Sequence, residues 1–164
     1  MSYTLTQLQQ QEDDLLFARF NETDAWTLGS LLVETARAHN LPVAIDISSS
    51  DRVLFHCACP GTSPDNGYWI TRKKNTVRRF GHSSLYVGQK LRDAGTTIEQ
   101  KYMVSEFEFA AHGGCFPVRV ADVGIVATVT VSGLAQTDDH DMAVAGIRQY
   151  LASLDSTSRQ QNKE

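Results

Sequence analysis

The clearest pattern in the chain is an unbroken alternation from Ile125 to Ser132. Ile125, Ala127, Val129 and Val131 point to one side and Val126, Thr128, Thr130 and Ser132 to the other, because successive side chains of a strand face opposite ways. Both sets are apolar or hydroxylic, which predicts a central strand covered on two sides. Phe116, Val118 and Val120 supply a partner strand, and Asp122-Val123-Gly124 fits a three-residue hairpin loop with Gly124 free to take positive φ. Ahead of this hairpin, His112-Gly113-Gly114 lets the backbone turn sharply or approach a ligand closely. Further strands are predicted over residues 15–20, 43–48 and 52–59. Asp46 lies between Ile45 and Ile47 and so faces the opposite side; if that side is covered, its carboxylate needs a partner.

Helical spacing accounts for most of the rest. Residues 4–13 suit a short polar helix. Ala25, Leu28, Leu32 and Ala36 place an apolar stripe on a helix over residues 22–39. Ser63 can cap a helix that has Pro64 in its first position. Ile70, Val77, Phe80, Ser84, Val87 and Leu91 then form one stripe, bent at Gly81. A short helix follows over residues 97–104, and a final one over 138–151, capped by Thr137 or Asp138. Residues 153–164 are polar without periodicity and are expected to form a disordered tail. Two hairpins separated by helical crossovers make this an α+β chain, a single domain over residues 1–152.

Composition narrows the function class. A length of 164 residues with 41% hydrophobic and 21% charged content suits one soluble globular domain. No apolar run approaches the ~20 residues of a membrane helix. The first residues lack the basic and apolar segments of a signal peptide, so a cytoplasmic location without membrane attachment is expected. The net charge of −4 disfavours nucleic acid as a partner. Cys57, Cys59 and Cys115 are an odd number, and no second pair has zinc-type spacing, so buried free thiols are expected.

Two groups of residues could carry chemistry. Arg72, Lys73, Lys74, Arg78, Arg79, Lys90 and Arg92 lie between Asp65 and Asp93 with no acid among them. This run reads either as a solvated helix face or as a site for an anionic small molecule, with Arg72 and Arg79 the guanidinium forks that suit a carboxylate. No aromatic platform accompanies it, which again argues against nucleic acid. Among the histidines, His112 beside the glycines is placed to meet a ligand and His82 follows the expected helix bend. His140 shares a face with Val144, Ile147 and Leu151, near a helix N-terminus that favours a neutral imidazole. Asp138-Asp139-His140-Asp141 looks like a metal cluster, yet acids are expected in a first helical turn. The nucleophile elbow, Walker A loop, zinc-protease and dinucleotide-binding motifs are all absent.

Three stretches carry a resemblance: HGGCFPVRV with GIVATVTVSG and DDH, the turn Cys59-Pro60-Gly61-Thr62-Ser63-Pro64-Asp65-Asn66, and Arg79-Phe80-Gly81-His82-Ser83-Ser84. Together they resemble the GlcG/HbpS-like haem-degrading-domain family, in its branch with PGTxPDN and RFxxSS motifs, over residues 31–151. The resemblance implies a profilin-like three-layer α/β/α sandwich whose five-stranded, mostly antiparallel sheet carries helices on both faces. It also implies a homo-oligomer and haem as a cofactor. Haem iron needs an axial His, Cys or Met, and His112, Cys115 or His140 could serve. Three functions remain open: a module that binds haem or another anionic small molecule at Arg72, Arg79, His82, His112, Gly113, Gly114 and His140, a haem-degrading enzyme, or a protein-binding scaffold without ligand.

Overall fold

In the computed structural model, residues 2–161 are described, with side chains as far as Thr157. The sheet has five strands: β1 (Leu16–Phe17), β2 (Ala44–Ser49), β3 (Val53–Ala58), β4 (Cys115–Val120) and β5 (Gly124–Ser132). Their spatial order is β1-β4-β5-β2-β3, with β1 parallel to β4 and every other pair antiparallel. The helices are α1 (Leu5–Asp14), α2 (Glu22–Ala38), α3 (Pro64–Phe80), α4 (Ser84–Asp93), α5 (Ile98–Tyr102) and α6 (Gln136–Gln161). Helices α2 and α6 cover one face of the sheet, and α3 and α4 cover the other. The three-layer α/β/α sandwich is therefore present. No described helix is long and apolar enough to cross a membrane.

The β4–β5 hairpin forms around positive φ at Asp122 and Gly124. Its partner β2 sets the register of both sheet faces: Ile45 pairs with Val131 and Ile47 with Val129, while Asp46 pairs with Thr130 and Ser48 with Thr128. The first set joins Phe116, Val118, Leu28, Leu32 and Ile147 in the main core. The second set faces α3. There Asp46 finds the partners its burial demands: the Ser48 hydroxyl donates at 2.6 Å, Lys74 Nζ at 3.1 Å, and His56 Nδ1 lies at 3.3 Å.

Several boundaries differ from the sequence reading. Only two residues of the expected strand over 15–20 pair, because α1 runs on to Asp14 and its C-cap at Leu15 bonds back to Gln11. The long stripe is two helices. Gly81 adopts a left-handed conformation, φ 72°, and the Ser83 hydroxyl accepts from Tyr86 N to start α4. Helix α6 begins two positions early and continues past Ser153. No Gly or Pro follows Leu151 to stop it, and propagation adds one backbone bond per residue; Ser156 and Thr157 hydroxyls donate to carbonyls of the preceding turn. Residues 162–164 of the expected tail lie outside the described residues.

Candidate functional site

Where β4 begins and β5 ends, the first turns of α3 and α6 flank a pocket of about 330 Å³. Lys73 and Asp139 form its floor, Trp69 and Asn66 a wall, and His112, Gln136 and the 132–134 loop its rim. Lys73 is 3% exposed, and its Nζ donates to Asp139 Oδ2 at 3.0 Å and to the Val131 carbonyl at 3.3 Å. It stands three residues after Ile70 and four before Val77, on the buried stripe of α3. Gly114 makes room for it: a Cβ there would lie 2.6 Å from Lys73 Nζ and 2.4 Å from the Val131 oxygen, at φ +132°. A Cβ at Gly113 would lie 2.1 Å from the Gln136 oxygen. The pair of glycines therefore serves close packing around the lysine, and the pocket is lined by their neighbours.

The hydrogen bonds of the lining engage most of its acceptors, Asp65 Oδ1 and the His112 ring excepted, and leave several donors. Asp139 Oδ1 accepts from Leu134 N at 2.9 Å, and Oδ2 accepts from Lys73 and from Gly133 N. Asn66 Oδ1 accepts from Ser63 N, Gln136 Oε1 from Gly113 N, and Asp65 Oδ2 from Trp69 Nε1. These acceptors are engaged within the chain. Donors are left over: an ammonium has three N–H groups and Lys73 uses two, an amide has two and Asn66 spends one on the Ser132 carbonyl. The Gln136 amide N–H groups have no partner among the described residues.

The charges of the lining are mixed, with Lys73 against the carboxylates of Asp139 and Asp65. Burial, then the charges of Lys73, Arg72 and Arg92, push the His112 pKa below its ordinary value, so its imidazole is neutral at pH 7. Burial raises the Asp139 pKa, opposed by Lys73 and the loop N–H groups. The Arg72 guanidinium stands 4.4 Å above the Trp69 ring centre and donates from Nε and Nη2 to the Glu106 carbonyl, while His112 meets the same ring edge-on at 5.3 Å.

Of the residues singled out from sequence, the pocket thus gathers His112, with Arg72 beside it and Gly113-Gly114 behind. The others lie elsewhere. Arg79 stands over Phe80 and Phe109. His82 bonds Glu12 at 2.8 Å and stacks on Tyr86. His140 is fully buried between Tyr3 and Phe116, with Nε2 2.7 Å from Gln11 Oε1, and its pKa is pushed down to about 4 by burial. Asp138 to Asp141 gather no metal cluster among the described residues: Asp139 turns to Lys73, His140 to Gln11 and Asp141 to Tyr3. Sequence reading named Lys73 only as one of the basic run and Asp139 only within the acidic cluster, and it gave Trp69, Asn66 and Gln136 no role at a site. The spacing of Lys73 from Ile70 and Val77 was the available signal.

A family model described as "Haem degrading protein HbpS-like" matches residues 20–148. The chain belongs to this HbpS-like family. A UPF0303 protein of Streptomyces coelicolor is 49% identical over 148 residues, covering 90% of this chain and 94% of its own. One from Paraburkholderia phytofirmans is 40% identical, covering 92% of each. The crystal structure of Ybr137w protein matches with a TM-score of 0.86 at 36% identity, over 94% of this chain and 91% of that one. HbpS itself superposes with a TM-score of 0.62 at 20% identity, over 79% and 89%. A PduOC:heme complex gives 0.65 at 16%, over 79% and 93%. These last two establish the fold of the HbpS-like chain.

Haem, which the family description brings with it, does not fit the pocket of a single chain. The Cys115 thiol is fully buried, held protonated with its pKa pushed up to about 12, and accepts from the Thr130 hydroxyl. His140 is sealed from the cleft. His112 alone of the three expected axial ligands reaches the rim, and Trp69 and Leu134 are the apolar side chains of a lining otherwise made of polar groups and Gly133. An apolar macrocycle pressed into that lining would strip water from donors it cannot satisfy.

Proposed function

We propose that this HbpS-like protein is a binding module for a small anionic molecule, whose oxyanion faces Lys73 and whose body lies along Trp69. The observation that carries this reading is the set of N–H donors left in the pocket at Lys73, Gln136 and Asn66, with the acceptors of Asp139, Asn66 and Gln136 engaged internally. A charge-assisted bond to a carboxylate is stronger than a neutral one, and a pocket of about 330 Å³ suits a small ligand. Three free thiols support work in a reducing compartment such as the cytoplasm. Trp26, 67% exposed, and Val53 on the uncovered edge of β3 support a homo-oligomer. Titration calorimetry with propionate and phosphate tests the reading: saturable binding, weakened about tenfold by Gln136→Leu, is expected. Absence of saturable binding of either anion overturns it.

Haem degradation is the second reading, favoured by the family match, with the His112 imidazole at the pocket rim as its candidate ligand outside the pocket interior. A haem titration followed by absorbance would show a saturable band lost in His112→Ala, and a featureless titration removes this reading. A scaffold without ligand is the outcome if neither anion nor haem binds.

A further inference from the structure

A second pocket of about 200 Å³ adjoins the first. Gln136 lines both. Its other walls are Tyr3 and Thr137 with Leu85, Gln89 and Arg92 of α4. Arg92 spends one N–H on Gln89 Oε1 at 2.9 Å, out of the five a guanidinium carries. The acid next to it in sequence is already engaged, since Asp93 accepts from Gln89 Nε2 at 2.7 Å, and Asp141 accepts from the Tyr3 hydroxyl. No salt bridge holds Arg92 among the described residues. Its charge is nonetheless felt at the rim of the first pocket, where it joins Lys73 and Arg72 in disfavouring protonation of His112.

The two adjoining pockets therefore present a cation each. Lys73, paired with Asp139 and with Asp65 also in the lining, stands at the floor of one, Arg92 stands in the wall of the other, and Gln136 is the residue the two share. A single anionic group placed at Lys73 leaves the Arg92 fork unused. A molecule with an anionic group at each end, joined by a short chain, satisfies both. Arg presents a planar fork that matches a carboxylate, whereas Lys acts as a point charge. We propose that the ligand of this site is a dicarboxylate, with one carboxylate at Lys73 and the other at Arg92. The proposal rests on the anion-binding reading above and specifies its ligand class.

The test is titration calorimetry of the full chain with propionate and butyrate against succinate, glutarate and adipate, in wild type and Arg92→Gln. Arg92 is exposed, so its replacement leaves the core intact. One dicarboxylate of the series is expected to bind about tenfold more tightly than the monocarboxylates, and Arg92→Gln should abolish that margin. If monocarboxylates bind but no dicarboxylate exceeds them, or if the margin survives Arg92→Gln, the dicarboxylate proposal is overturned and the anion-binding reading stands. If no carboxylate of either kind binds, the dicarboxylate proposal is overturned, and the anion-binding reading falls with it when phosphate also fails to bind.

Discussion

Ile45, Ile47, Phe116, Val118, Val129 and Val131 belong to the core shared with α2 and α6, whereas their strand neighbours Asp46, Ser48, Cys115, Thr128 and Thr130 turn toward α3. The same three strands thus build a dry interface and a polar one, each with nearly all its side chains buried. On the dry side the energy comes from area removed from water, which is tolerant of detail. On the polar side every buried group depends on a particular partner, so geometry is strict and side chains such as Lys73 can be held at a pocket floor with a donor to spare. The difference teaches where stability and recognition reside in this fold.

Four changes would break or sharpen that contrast. Phe116→Ala should be the most damaging on the dry side, costing about 3–5 kcal/mol in urea unfolding through the cavity it leaves. On the polar side Lys73→Met should cost about as much, roughly 3–5 kcal/mol, because it strands the Asp139 carboxylate. The double change Lys73→Met with Asp139→Asn should recover more than half of that loss, since an amide oxygen still accepts from Leu134 N. No comparable rescue exists for Phe116→Ala, and a double change as unstable as the single one would erase the distinction.

The third change uses pH. Unfolded His140 takes up a proton near its ordinary value of 6.5 and folded His140 only at about 4. The unfolded state therefore binds more protons between those values. Its contribution is complete above pH 6.5 and shrinks as the pH falls, with roughly 3 kcal/mol gone by pH 4. Urea midpoints of wild type and His140→Gln at pH 7 and pH 4 read this directly, and parallel losses in the two proteins would remove His140 as the cause. The smallest effect is expected at Arg79, exposed above Phe80 and Phe109: Arg79→Ala should change stability by about 0.5 kcal/mol or less and leave propionate affinity unchanged.

The dry side was the legible one. Alternation from Ile125 to Ser132 and the spacing of Leu28, Leu32 and Ala36 report burial directly, because an apolar period has one common explanation. The polar side hides in sequence. Lys73 reads as one member of a basic run, and only tertiary packing separates it from exposed Arg79. Asp139 reads as an ordinary first-turn acid, although its carboxylate gathers the N–H groups of Gly133 and Leu134. His112-Gly113-Gly114 was read as allowing a sharp turn or a close approach to a ligand, and the close approach seen at its glycines is to Lys73 and to the Gln136 and Val131 carbonyls. Which cations share a cleft depends on the placement of α3, α4 and α6 around the sheet, and local pattern carries none of that.

The spatial order β1-β4-β5-β2-β3 has a consequence for biosynthesis. The middle strand β5 is made long after its neighbour β2, with 80 residues separating Ser48 from the Thr128 that bonds to it. While the ribosome elongates the intervening helices, the β2–β3 ribbon has an unpaired edge and an apolar face with no strand to complete the sheet. A two-stranded ribbon is marginal alone, so the sheet is complete only after β5 emerges, and until then the apolar face of β2 and β3 lacks the strand that would cover its edge.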